Sequence, residues 1–309
     1  FHSRDPSACR TPRESVRIYR RDGLFEVQTT MTFRFLLLGL MILLAGCGGT
    51  NFLPKPAQVQ AQSRPILIVG TFPDETAFLE TQMVVDRELF IQNRRVLEGT
   101  LEGKQVVLAV VGVGSVNSSS GVSLLIERYQ PTAVLLNGVA GGLGEALPGD
   151  VVIGTRLLHY GFAQLTDEGY SPWQTYQPDY VTRNPLYFTP DEGLLGLARQ
   201  SAQELVLPPV TVDGQTRNPK TIEGSISSED VFSEVLQRNQ EIALDYGVNT
   251  FEEEGAPVAQ TCYQLGIPFL VIRGISNRAE EDGFETFEQL SLVAAESANR
   301  LVLEIVKLL

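Results

Sequence analysis

Cysteine, histidine and tryptophan are scarce in this chain: three, two and one among 309 residues. Three cysteines cannot build a disulfide framework, and two histidines cannot supply a His-rich metal site. Basic residues are also few. The 24 Lys and Arg against 37 Asp and Glu leave a formal net charge of −13. That balance lacks the electrostatic footprint of a protein that binds nucleic acid or an anionic membrane through its charge. No repeat with a period of 20–50 residues is visible, which excludes a solenoid or propeller. What is present is an ordinary globular composition, 43% hydrophobic and 8% aromatic, with no sign of disorder.

The first residues stand apart from the rest. Residues 1–30 are Arg-rich and without period, and read as an upstream or mis-started segment. Met31 and Arg34 then precede an apolar run of roughly eleven residues, half of the about 20 that span a bilayer. The run ends in Leu44-Ala45-Gly46-Cys47. Residues 31–46 therefore read as an export signal, and its ending resembles a lipoprotein box, with Cys47 as the lipidated residue. Residues 47–63, rich in Pro, Gln and Ala, read as a flexible tether, and 64–309 as a single domain. These features predict an exported protein held in the bacterial cell envelope by its lipid alone. Residues 1–46 hold seven of the basic and four of the acidic residues, so removing them makes the remainder more acidic. His159 is then the only histidine left, and Cys262, in an apolar helical pattern, reads as a buried thiol.

From residue 64 onward, short continuous Val/Ile/Leu runs alternate with helical periods. Strands are predicted over 64–70, 105–112, 132–136, 150–157, 222–226 and 268–274. Helices are predicted over 72–90, 115–129, 193–205, 231–242, 254–265 and 284–309, the last with Phe284 and Phe287 on its apolar stripe. Residues 160–190 read as a long excursion. The pattern predicts an α/β fold: one three-layer domain with a central mixed, mainly parallel sheet flanked by helices. In such sheets ligands sit beyond the strand ends, so the residues that follow each strand carry the functional expectation. Gly112-x-Gly114 looks like part of a dinucleotide fingerprint. Its third glycine is replaced by Asn117 and it follows the second strand, so neither a dinucleotide nor any other cofactor or metal is called for.

Taken together, the strand ends resemble the nucleoside phosphorylase/nucleosidase superfamily, and within it the methylthioadenosine/S-adenosylhomocysteine nucleosidases, over essentially all of residues 64–309. Six pieces occur in the family's order. They are Ile68-Val69-Gly70 with Glu75, Gly112-Val113-Gly114, and Asn137-Gly138-Val139-Ala140-Gly141-Gly142 followed by Pro148-Gly149-Asp150. Then come Ser228-x-Asp230-x-Phe232, Phe251-Glu252-Glu253-Glu254-Gly255-Ala256, and Arg273-Gly274-Ile275-Ser276-Asn277. The resemblance implies hydrolysis of the N-glycosidic bond of a purine nucleoside, with a homodimer or higher oligomer. Glu75 would activate water, Glu254 would grip the ribose hydroxyls, and Phe232 would stack on the base. Gly112, Val139, Gly141, Glu253, Arg273 and Ser276 would line the substrate, and Asn277 would face the leaving base.

Three departures bear on chemistry. Asn277 stands where the adenine-specific enzymes carry Asp, and an amide can donate a hydrogen bond but cannot deliver a proton. Loss of general-acid help typically costs about 10²–10⁴-fold. Glu253 stands where a ribose-packing Met is usual, and a carboxylate is costly there unless it is paired or protonated. Val139 replaces a small polar residue. Two alternatives to an adenine nucleosidase therefore stay open: a catalytically weakened nucleoside-binding or storage-type homologue, and a nucleosidase or phosphorylase that prefers 6-oxopurines. The residues also have plainer readings. Glu75 suits a helix N-terminus, Glu252, Glu253 and Glu254 suit a solvated run opening a helix, Phe232 suits a helical core position, and Asn277 suits an N-cap.

Overall fold

The computed structural model describes residues 64–309 apart from Glu168, Asp213 and Glu281. Cys47, expected to carry the lipid, and the segments expected to be an export signal and a tether lie outside the described residues. In chain order the elements are β1 (Ile66–Gly70), α1 (Asp74–Gln82), β2 (Val84–Ile91), β3 (Arg94–Leu101), β4 (Lys104–Val110), α2 (Ser115–Tyr129), β5 (Ala133–Gly142) and β6 (Val151–His159). After them come β7 (Ala163–Thr166), β8 (Gly169–Pro172), β9 (Tyr187–Phe188), α3 (Glu192–Glu204), β10 (Val210–Val212), β11 (Gln215–Arg217) and β12 (Thr221–Ser228). The chain ends with α4 (Leu236–Tyr246), β13 (Thr250–Glu252), α5 (Gly255–Leu265), β14 (Phe269–Arg278) and α6 (Gly283–Leu308).

The main sheet runs in the order β13-β12-β6-β14-β5-β1-β4-β3-β2. β1 pairs in parallel with β4 and β5, and β5 with β14. β6 turns the direction, antiparallel to β14, and β12 and β13 follow it in parallel. β13 also pairs antiparallel with the end of β5, Thr250 opposite Gly142 and Phe251 opposite Gly141. Five strands, β5, β14, β6, β12 and β13, therefore close into a ring at one end of the sheet. Alternation along β1 sends Ile66 and Ile68 to a core covered by α1, α3 and α6, and Leu67 and Val69 to a core covered by α2 and α5. Helices on both faces explain why these strands read as continuous apolar runs. Cys262 is buried on α5 in the second of these cores, and burial pushes its thiol up to about 12.

Several boundaries differ from expectation. The predicted helix over 72–90 ends at Gln82. Val84–Ile91 instead forms an antiparallel hairpin with β3. Its turn is Gln92-Asn93, both at positive φ (46° and 64°), a turn without the glycine that usually marks it. The predicted helix over 231–242 starts only at Leu236 and runs to Tyr246, where Gly247 ends it in a left-handed conformation. Phe232 therefore lies on a loop and not on a helix. The runs at 132–136 and 268–274 continue as strands through Gly142 and Arg278. The residues expected to follow those strands form their last half.

Candidate active site

A cavity of about 600 Å³ lies where the last residues of β5 and β14 meet the first turns of α1, α2 and α6, residues 230–233, and the end of β13 with Glu253 and Glu254. Its floor is built on Glu75. Pro73 and Asp74 open α1, as proline and acidic residues commonly do, yet the Glu75 side chain turns inward and is 1% exposed. One carboxylate oxygen accepts from the Thr71 N–H (2.5 Å) and the Thr71 hydroxyl (2.8 Å), the other from the Val139 N–H (2.8 Å). Burial raises its pKa above the ordinary carboxylate value, while Arg273 and these donors pull the other way.

Arg273 lies wholly buried behind this floor. Its Nη2 donates to Glu252 and, at 3.1 Å, to Glu254, and its Nη1 is 3.7 Å from Glu75. Burial opposes the guanidinium charge, and the surrounding carboxylates outweigh it, so its pKa is raised. Gly138 is required beside it: a β-carbon there would run into the Arg273 guanidinium and the Glu75 carboxylate. The Glu252 carboxylate accepts from the Ser228 hydroxyl, from Arg273, and from the backbone N–H groups of Glu254 (2.9 Å) and Gly255 (2.7 Å). It thus ties β12, β13, β14 and the start of α5 together. Glu254 takes the Gly114 N–H at 2.9 Å. Burial, against the pull of Arg273, raises its pKa to about 7.

Glu253 differs from its neighbours. It lines the cavity half-buried, and among the described residues no side chain or N–H bonds its carboxylate. Burial, then the Glu254 and Glu252 charges, push it to about 8. A folded-state pKa above the unfolded one adds stability that is complete below about 4.5 and is lost as pH rises through about 8. Denaturant midpoints of the wild type are expected to fall over that window. Glu253→Gln should fall less steeply and overtake the wild type above pH 8. Parallel curves would show that Glu253 is not the group responsible.

Opposite the floor stands an aromatic wall. Phe232 packs edge-on to Phe284 (5.7 Å) and Phe287 (5.9 Å), and Phe287 edge-on to Phe72 (6.5 Å). Phe232 and Phe284 stay 43% and 50% exposed, open on the cavity side. Asn277 lies between wall and floor. Its amide N–H donates to the Arg278 carbonyl (2.9 Å) and its carbonyl accepts from the Ser276 hydroxyl (2.8 Å), which leaves a second N–H and a second lone pair.

Of the residues singled out in the sequence, Glu75, Val139, Gly141, Phe232, Glu253, Glu254, Ser276 and Asn277 line this cavity together. Two do not. Gly112 borders a neighbouring depression near Pro73 and Arg94, and Gly114 takes its expected place at the cavity. Arg273 acts from behind, on the carboxylates. His159 is half-buried, and its Nδ1 lacks a partner within the described residues. Burial lowers its pKa, although Asp230 and a bond to Gln260 favour its charge. Asp150, from the Pro148-Gly149-Asp150 piece, is structural: it holds Arg217 (2.7 Å) and the Lys220 N–H (2.7 Å). The sequence does not show the roles of Thr71, which fixes Glu75, or of Ser228 and Glu252, which anchor Arg273 and the start of α5. Phe284 and Phe287 were assigned to the buried face of α6; they face the cavity.

A family model described as "Phosphorylase superfamily" matches residues 65–307. A 5'-methylthioadenosine/S-adenosylhomocysteine nucleosidase of Listeria innocua is 32% identical over 242 residues, 78% of this chain and 97% of its own. The solved structure of a nucleosidase of that name from Neisseria meningitidis, in complex with methylthio-immucillin-A, superposes with a TM-score of 0.69. It is 31% identical and covers 80% of this chain and all of its own. The futalosine hydrolase of Helicobacter pylori shares the fold, with a TM-score of 0.68 at 24% identity, over 80% of this chain and 98% of its own.

Proposed function

This chain belongs to the phosphorylase superfamily, and from that premise we propose that it is a purine nucleosidase. It would hydrolyse the N-glycosidic bond of a nucleoside such as methylthioadenosine or S-adenosylhomocysteine and release the free base. The observation that carries this reading is the Glu75 carboxylate, fixed by three donors on the floor of a cavity whose far wall is aromatic.

The chemistry follows from the geometry. Departure of the base leaves oxocarbenium character on the sugar. Glu75 takes a proton from the attacking water, and its raised pKa makes it a stronger base once ionised. Glu254 accepts hydrogen bonds from ribose hydroxyls, with Arg273 favouring its ionised form. Phe232 holds the base edge-on to its neighbours, and the free N–H of Asn277 hydrogen-bonds the departing purine. Water is a better fit than phosphate as the nucleophile. Among the described residues no Lys or Arg lines the cavity, and a phosphate dianion would face Glu75, Glu253 and Glu254.

The test is release of free base by the purified protein from methylthioadenosine, S-adenosylhomocysteine, adenosine, inosine and guanosine, with and without phosphate. Release from adenine nucleosides independent of phosphate is expected. No release from any nucleoside would overturn the reading. A second reading, a nucleoside-binding homologue with weakened catalysis, is favoured by the amide at position 277. Asn277→Asp separates the two. If the amide has weakened catalysis on adenine nucleosides, as the second reading holds, the substitution should raise kcat on them by about 10²-fold or more. An unchanged kcat would show that the amide is not limiting. We also propose that the reaction occurs at the cell envelope, with the protein lipidated at Cys47. Cys47→Ala should abolish incorporation of labelled fatty acid.

A further inference from the structure

The cavity holds more negative charge than its own donors meet. Glu75, Glu252 and Glu254 are each bonded by N–H or O–H groups and share Arg273. Asp230, on the cavity wall, takes the Ser115 N–H at 2.7 Å. Among the described residues no donor bonds the Glu253 carboxylate, although Glu253 lines the same space. The charges that act on it are the like charges of Glu254, Glu252 and Glu75, and the guanidinium of Arg273, already engaged twice over. A ligand that fills the cavity displaces the water that can reach this half-buried carboxylate, and the carboxylate then either keeps a proton or meets a cation that arrives with the ligand.

Its position says which part of a ligand it meets. Glu253 is adjacent in sequence to Glu254, and its backbone carbonyl accepts from the Ser115 hydroxyl (3.4 Å) at the glycine turn. The aromatic wall of Phe232, Phe284 and Phe287 belongs to other elements. With the base against that wall and the ribose on Glu254, Glu253 faces the sugar.

We propose that Glu253 makes this cavity selective for nucleosides whose sugar carries an ammonium group, which its carboxylate pairs. The inference rests on the nucleosidase reading and narrows its substrate class. Binding such a ligand ionises Glu253, and the displaced proton goes to solvent. A neutral ligand leaves the acid protonated and releases none.

The experiment compares two matched pairs by titration calorimetry at pH 7 on the full chain, with Glu75→Gln as background to block turnover. The pairs are 5'-amino-5'-deoxyadenosine against 5'-deoxyadenosine, and 3'-amino-3'-deoxyadenosine against adenosine. A charge-assisted hydrogen bond of ordinary strength corresponds to about tenfold or more in affinity. In at least one pair the amine is expected to bind more tightly by that factor and to release protons, read from the heats in buffers of different ionisation enthalpy. Glu253→Gln and Glu253→Met should each remove both effects. Amines and neutral partners binding within about threefold of each other, or a preference that survives both substitutions, would overturn the proposal while leaving the nucleosidase reading intact. If neither amines nor neutral nucleosides bind, that reading falls and this one with it.

Discussion

Glu75→Gln should lower the rate of base release by about 10²–10⁴-fold, the usual loss when a general base is removed. The amide keeps the size of the side chain and one acceptor oxygen, so the bond from the Val139 N–H can persist. It cannot take a proton from water. It also sets an N–H donor against a second site that needs an acceptor, because the Thr71 N–H and hydroxyl both point at one carboxylate oxygen. The loss should fall on kcat, with nucleoside affinity changed far less, since the ribose and base contacts proposed above lie on Glu254, Phe232 and Asn277. In the wild type, kcat/KM should decline on the acid side as Glu75 takes up its proton, at a pH above the ordinary glutamate range because burial raises its pKa. A Glu75→Gln protein that retained wild-type turnover would remove Glu75 from the mechanism.

The second large effect concerns stability. Arg273→Met keeps length and apolar bulk but strips the guanidinium from Glu75, Glu252 and Glu254 together. Breaking one buried ion pair by removing a partner typically costs about 3–5 kcal/mol. For a domain of this size each kcal/mol lowers Tm by roughly 2–4 °C, so a fall of roughly 6–20 °C is expected in a thermal melt. The deficit should depend on pH. Without Arg273, Glu75 and Glu254 lose the charge that lowers their pKa values, which then rise further above their unfolded ones. Stability is then retained at pH below about 4.5 and lost as pH rises through the raised folded values. The gap to wild type should widen from acid to neutral pH. Adding Glu252→Gln to Arg273→Met should recover part of it. An Arg273→Met protein with wild-type Tm at pH 7 would mean that the carboxylates are already protonated and need no cation.

How much of this was legible beforehand depended on how local the signal was. The strands buried between two helical layers were plain, because each is a run of Val, Ile and Leu. β2 was not. Its charged residues Asp86, Arg87 and Glu88 stand together between apolar residues, and it lies mostly exposed on the sheet edge, so Val84 and Phe90 read as a continuation of the helix. β5 and β14 were read too short. Glycines and polar residues look like loops, yet here Gly138, Ser276 and Asn277 stand on strands inside the ring, where the absence of a side chain or a bond to a neighbour lets them fit. In the site, Glu75 and Glu254 were found through the order of motifs along the chain. Glu252 looked like part of a solvated charge run, because only its contacts to Ser228 and Arg273, brought from two distant strands, show it to be buried. The aromatic wall escaped notice for a related reason: the spacing of Phe284 and Phe287 says that they share a face of α6, not what that face meets.

The ring of strands has a consequence for the order in which the molecule assembles. Its closing pair, Phe251 with Gly141, joins residues more than a hundred positions apart. By contrast β1 and β4 meet across a shorter loop and α2 packs beside them. Contacts of large sequence separation cost more chain entropy and form late. The β5–β14 pairing spans still more of the chain, so during refolding helical signal and the β1–β4 part of the sheet should return before the ring and the cavity, and nucleoside binding should lag behind both. For that interval the molecule is a partly folded protein with no site.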